Sequence, residues 1–159
     1  MRIIENGAER HDDWTVARGD EAPGAAAVIL PLAAWQRHSP AVGPSPHGLL
    51  VQPDDSLVEV LAAAARSPLV AVDFPDFNDG RGYSFARRLR DAGYDGELRA
   101  VGDVLRDQAF YLARCGFSSF APAEHVRSED FLAALGDFSL AYQAAADQRS
   151  TVQRLRHAH

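Results

Sequence analysis

The sequence predicts an α/β fold: a mostly parallel sheet of about five strands with flanking helices, preceded by an N-terminal β-hairpin. Three observations predict it. Short apolar runs recur along the chain, and stretches with helical spacing and glycine stops alternate with them, which is the βαβ pattern. The 159 residues, 47% of them apolar, suit one domain with a single core. Near the N-terminus, Asn6-Gly7 is a strong two-residue hairpin turn signal.

The elements follow in order. Residues 1–17 read as the hairpin, Arg2 to Glu5 going out and Trp14-Thr15-Val16 closing the return strand. Residues 18–25 are linker-like. Ala27-Val28-Ile29-Leu30 is a short apolar strand, followed by a short helix around Leu32 to Arg37. Three prolines and two glycines make 39–48 a loop. Gly48-Leu49-Leu50-Val51 is a strand, and Pro53-Asp54-Asp55-Ser56 starts a helix running to about Arg66. Leu69 to Phe74 is a strand, 75–82 a loop, and 83–92 a helix stopped by Gly93. Glu97 to Val101 is a strand. Asp103 is expected to cap a helix ending at Cys115-Gly116. Phe117 to Ala121 is the fifth strand. Ser128 caps a last helix whose Phe131, Leu135, Phe138 and Tyr142 trace one face. Residues 1–148 form a single domain, and 149–159 are expected to be a flexible tail. Arg90-Asp91-Ala92-Gly93-Tyr94 and Ala113-Arg114-Cys115-Gly116-Phe117 form a weak repeat, each marking helix, glycine stop and aromatic. An open doubly wound sheet and a partial (β/α) barrel both fit this order.

All 16 cationic residues are arginine, and there is no lysine. That excludes a Schiff-base lysine, a P-loop lysine and a lysine general base. Cationic chemistry must use guanidinium forks, which match two oxygens at once. A net charge of −6 argues against a nucleic-acid-binding domain. The lone Cys115 excludes an intramolecular disulfide and a cysteine-only metal site and suits a reducing cytosol. No apolar run approaches the roughly 20 residues of a membrane helix, so a cytoplasmic protein is expected.

In either architecture ligands gather at the carboxyl ends of the parallel strands. The richest loop there is Asp73-Phe74-Pro75-Asp76-Phe77-Asn78-Asp79-Gly80-Arg81-Gly82-Tyr83-Ser84. Its glycines let backbone N–H groups approach a ligand, and the helix start behind it favours an anion. The next is Gly102-Asp103-Val104-Leu105-Arg106-Asp107-Gln108. Asp103 and Asp107 share a helix face, a weak cation signal, and Arg106 and Asp107 do not face each other. Arg99 lies inside a strand and needs a partner if both faces are covered, with Asp73 or Asp79 the nearest candidates; an edge strand with Arg99 in water is the other reading. Candidate ligand- or partner-binding residues are Asp73, Asp79, Gly80, Arg81, Tyr83, Arg99, Asp103, Arg106, Asp107 and Gln108. No catalytic residue, metal site or cofactor is assigned. Cys115, Trp14 and Trp35 read as packing residues.

Asp79-Gly80-Arg81-Gly82-Tyr83-Ser84 with Ala86-Arg87 and Leu89-Arg90, the run Gly96 to Gln108, and Arg114-Cys115-Gly116-Phe117 together resemble the bacterial family called domain of unknown function 934. Ser118-Ser119 departs from the family pattern, which has an acidic residue after the Gly-Phe. Members are often labelled oxidoreductase, and their genes typically lie beside sulfite reductase. The resemblance therefore implies an accessory role in assimilatory sulfate and sulfite reduction, with sulfite reductase or its electron donor as partner and an oxyanion as a further ligand class. That role favours binding over stand-alone catalysis. A homo-oligomer is compatible with the sequence. The alternative is a small α/β enzyme acting on a phosphate- or carboxylate-bearing metabolite, with Asp79 as acid/base and Arg81 or Arg99 as anion clamp.

Overall fold

A computed structural model describes residues 1–17, 19, 27–40 and 42–136. The chain forms strands β1 (Arg2–Glu5), β2 (Ala8–His11), β3 (Thr15–Val16), β4 (Val28–Pro31), β5 (Gly48–Val51), β6 (Leu69–Phe74), β7 (Glu97–Gly102) and β8 (Ser119–Phe120). Helices α1 (Leu32–His38), α2 (Leu57–Ala64), α3 (Arg81–Asp91), α4 (Ala109–Cys115) and α5 (Ser128–Gly136) alternate with the later strands. A single 3-10 turn, Arg106–Gln108, precedes α4.

All eight strands join one sheet in the order β2-β1-β8-β7-β6-β5-β4-β3. From β3 to β8 neighbouring strands are parallel and strictly consecutive, and β1 pairs antiparallel with both β8 and β2. This order decides between the two architectures. A doubly wound sheet needs the strand order to reverse, and none does. Right-handed crossovers that always step the same way leave every helix on one face. The apolar contacts agree. The main core joins Leu30, Leu49, Val51, Val70, Val72, Leu98, Ala100 and Phe120 to buried residues of all five helices. The opposite face carries a smaller cluster of Ile29, Leu50, Leu69, Ala71 and Val101 with Met1, Trp14, Val16 and Ala121, and among the described residues no helix enters it. The sheet is accordingly a curled half-barrel with helices on its convex side.

The hairpin is differently built from the expected one. Asn6 and Gly7 take φ of 51° and 75°, the left-handed pair that a two-residue turn requires. The strand returns at once, as Ala8–His11, with Glu5 opposite Ala8. Thr15–Val16 instead pairs with β4 at the far end of the sheet. Three residues, Asp12, Asp13 and Trp14, connect the two outermost strands, and four Cα steps span at most about 14 Å. The sheet therefore curls until its edges nearly meet. Trp14 reaches inside, over Gly48: a Cβ on Gly48 would sit 3.0 Å from Ile29 Cγ1 and 3.3 Å from the Trp14 ring.

The glycine-stop repeat is real and has a shared cause. Gly93 and Gly116 have φ of 89° and 104°. The amides of Tyr94 and Phe117 donate back to the carbonyls of Leu89 and Leu112, closing the same helix-ending motif twice. Two expected caps fail. Asp103 lies ahead of the helix, and the side chain of Gln108 holds its start by accepting from Leu105 N–H at 2.8 Å. The Ser128 hydroxyl makes no hydrogen bond, buried at the start of α5. Phe138, Tyr142, the 149–159 tail and most of the 18–25 linker lie outside the described residues.

Candidate functional site

Alternation along each strand sends every second side chain to the concave face. The register groups these residues into rows across the sheet: Leu50, Ala71, Arg99 and Ser119 in one, Asp73 and Val101 in the row above it, toward the carboxyl ends. Above the upper row the half-barrel opens into a cleft of about 1190 Å³. Val16, Leu50, Val101 and Ala121 line it with apolar surface, and Arg2, Arg37, Gln52, Asp73, Asp103 and Glu124 supply its polar groups. This is the carboxyl end where parallel α/β sheets place their sites.

Gly102 shapes the cleft. Its φ is 95°, and a Cβ there would stand 2.5 Å from the Phe74 carbonyl oxygen and 2.7 Å from Asp73 Oδ1. The close approach lets Asp103 N–H donate to Phe74 O at 2.7 Å, so the β7 exit is pinned to the β6 exit. Across the cleft, Arg2 Nη2 donates to the carbonyls of Pro122 and Ala123 at 3.1 and 2.9 Å. Among the described residues no carboxylate lies within ion-pair distance of Arg2.

Pro75 lines the cleft, and the rest of the loop after β6 stands beside it, outside the lining. Asp79 accepts from the backbone N–H, Nε and Nη2 of Arg81 at 3.1, 3.0 and 2.8 Å. Arg81 Nη1 reaches Asp54, in the loop after β5, at 2.5 Å. The start of α3 therefore already holds an anion, the carboxylate of Asp79. Hydrogen bonds from the Arg81 side chain and then its backbone hold the Asp79 carboxyl below its usual range, and the two aspartates push Arg81 upward. Gly80 has open space around it and an ordinary α conformation. The glycine the fold needs is Gly82, where a Cβ would lie 2.7 Å from the Phe74 ring.

Tyr83 ties this loop to the next one. Gln108 is buried, and its Nε2 donates to Tyr83 Oη at 3.0 Å. The Tyr83 ring packs 5.1 Å from Phe74 and 4.9 Å from Tyr111. Burial pushes the Tyr83 phenol up, with the Gln108 hydrogen bond pulling the other way. Arg106 and Asp107 are exposed and approach each other at 4.0 Å despite being sequence neighbours, which the 3-10 turn permits.

Arg99 is in neither expected place. Its side chain is 1% exposed, which rules out an edge strand in water, and its partners are not Asp73 or Asp79. Being a row lower, the guanidinium points toward the amino ends of the strands. Nε and Nη2 donate to Glu97 Oε1 at 3.0 and 2.6 Å, and Nη2 also contacts Asp12. Nε reaches Ser119 Oγ at 3.3 Å, and Nη1 meets the Met1 sulfur at 3.6 Å. Small neighbours, Ala71 and Ser119, make the room. Arg99 thus fastens the strap that joins the two sheet edges.

Of the ten candidates, Asp73 and Asp103 reach the cleft. Asp79, Gly80, Arg81, Tyr83, Arg106 and Asp107 stand beside it, with the buried Gln108 bonded to Tyr83, and Arg99 lies at the opposite end. Arg2, Arg37, Gln52 and Glu124 escaped sequence reasoning, and Gly102 was named there only as the start of its loop. Gln52 follows a strand directly and Glu124 comes soon after one, so the carboxyl-end rule alone could have found them; Arg2 enters only through the antiparallel β1. Among the described residues no group of three or more His, Cys, Asp or Glu is placed to hold a metal ion. Nor is any helix there long and apolar enough to cross a membrane. A comparison with curated proteins returns no match, and a comparison with solved structures returns none either. A family profile described as "Bacterial protein of unknown function (DUF934)" matches residues 48–153, from β5 onward. The chain belongs to that family.

Proposed function

We propose that this chain is an accessory protein of assimilatory sulfite reduction, docking on sulfite reductase or its electron donor through residues 76–83 and 103–108. The observation that carries the docking reading is the bond between the two loops. The Gln108–Tyr83 hydrogen bond and the Asp103–Phe74 pin make them one continuous platform at the carboxyl edge. Phe77, 45% exposed, stands on it. The state of the arginine forks favours a protein partner over a captured oxyanion. Arg81 is closed by Asp79 and Asp54, and Arg99 by Glu97 and Asp12, so a free oxyanion would have to displace a carboxylate. The pathway role rests on what the family resemblance implies. A deletion strain tests it: growth on sulfide but not on sulfate is expected, and equal growth on both refutes the role.

The cleft supports a second reading, a small enzyme for a phosphate- or carboxylate-bearing metabolite. Here Arg2, held by carbonyls rather than by a carboxylate, would take the anionic group, and Asp103 or Asp73 would handle a proton. Asp79 and Arg99 do not serve that reading, since neither lines the cleft. A thermal-shift screen with sugar phosphates, nucleotides and sulfur oxyanions decides: a shift abolished by Arg2→Gln supports the enzyme, and no shift removes it.

A further inference from the structure

Helix α3 carries four arginines against one aspartate in eleven residues, on a chain of net charge −6. Two of the four are committed. Arg81 is closed by Asp79 and Asp54, and Arg90 is turned inward, donating to the carbonyls of Gly116, Tyr94 and Gly96 at 2.9, 2.7 and 3.0 Å. The other two face outward. Arg88 is exposed and has no ion-pair partner among the described residues, and Arg87 meets Asp91 only at 3.9 Å. Near Arg87 stands Tyr111 of α4, 56% exposed, its ring 4.9 Å from Tyr83, which lies one turn before Arg87 and which Gln108 holds in turn. An exposed aromatic whose ring is packed on Tyr83, next to an arginine held only by a 3.9 Å ion pair, has the composition of a binding hot spot, because ordering it on association costs little.

We propose that the outer face of α3, with Arg87, Arg88 and the neighbouring Tyr111, is a docking surface for an acidic patch on a partner protein. This deepens the docking reading above and names the chemistry of the partner's face. Two features select that occupant. The outward charge, Arg87 and Arg88, is confined to one helical turn of about 5.4 Å, and it lies on a chain of net charge −6. A compact acidic patch can meet it, whereas an extended polyanion would run onto repelling surface. The face also continues the platform, since the 76–83 segment runs into the first turn of α3.

The test uses the whole chain with Arg87→Glu/Arg88→Glu and Tyr111→Ala, all exposed positions, their folding checked by circular dichroism. A glutamate-rich peptide is titrated into the labelled protein by NMR. At about 10 mM salt, where charges reach about 30 Å, it is expected to shift amides of Ser84 to Asp91 and of Tyr111; at about 150 mM, with a reach of about 8 Å, the shifts fade. Silence, or shifts mapping elsewhere, overturns the proposal. Purified sulfite reductase is then passed over the immobilised protein. Binding weakened roughly tenfold or more by either variant is the expected result. Binding that both variants leave intact removes this face and keeps the docking reading. A peptide response on α3 with no reductase binding keeps the face and removes that partner. Sedimentation covers the remaining occupant: a self-association dissolved by the charge reversal makes the partner a second copy and overturns the proposal.

Discussion

Replacing Arg99 by methionine removes one buried guanidinium and leaves two carboxylates behind. Arg99 makes five contacts, with Glu97 twice and with Asp12, Ser119 and Met1 once each. Breaking a buried ion pair from one side typically costs about 3–5 kcal/mol. Here the orphaned side chains of Glu97 and Asp12 keep 27% and 22% of their exposure and so retain some water. The cost therefore falls to about 2–4 kcal/mol. For a chain of this length each kcal/mol moves the melting temperature by about 2–4 °C, so a drop of about 4–16 °C is expected. Scanning calorimetry and urea denaturation read it directly. Arg99→Lys keeps the charge and loses the fork, and falls between the two. A double-mutant cycle with Asp12→Asn isolates the strap: coupling of about 1 kcal/mol or more is expected for groups in contact. A melting temperature that moves by less than about 1 °C, or zero coupling, refutes the claim that Arg99 closes the half-barrel.

Three further outcomes follow from the contacts. Gly82→Ala drives a Cβ into the Phe74 ring and should cost about 1–3 kcal/mol by overpacking, whereas Gly80→Ala meets open space and should change stability by at most about 0.5 kcal/mol; equal effects in a denaturation series contradict the geometry. Asp79 should titrate below the ordinary carboxyl value of about 3.9; the contribution of its pairing to stability is complete above that value and is lost as pH falls through the lower folded one, and Arg81→Gln should raise the midpoint seen by carboxyl-carbon NMR. Tyr83→Phe strands the buried Gln108 amide and should cost about 1–3 kcal/mol while loosening the two loops together, read as faster amide exchange at both 76–83 and 103–108; loosening of one loop alone denies the platform.

Much of the fold was legible because its signals are local. Apolar runs bounded by glycine located five of the parallel strands, and the paired glycine stops foretold two helix endings with the same backbone geometry. Long-range pairing was not local. Nothing in Trp14-Thr15-Val16 says that it crosses to β4 rather than folding back on β1, because two residues carry no register information. The same limit misplaced Arg99. Its need for a partner could be read from a covered strand, but which row it occupied depended on the alignment of β6 against β7. Gly80 and Gly82 look alike in the sequence; only the approach of α3 to Phe74 separates the dispensable one from the required one. The candidate site divides the same way. The two loops rich in charge do share an edge of the sheet, as the carboxyl-end rule required, while most of the cleft's polar residues come from elements with no unusual composition.

The docking claim is tested most directly by hydrogen–deuterium exchange on the protein alone and in the presence of purified sulfite reductase. Slowed exchange is predicted in 76–83 and 103–108, continuing into α3, with β2 and the strap at 12–14 unchanged. No slowing at saturating reductase, or protection confined to the amino end of the half-barrel, contradicts it.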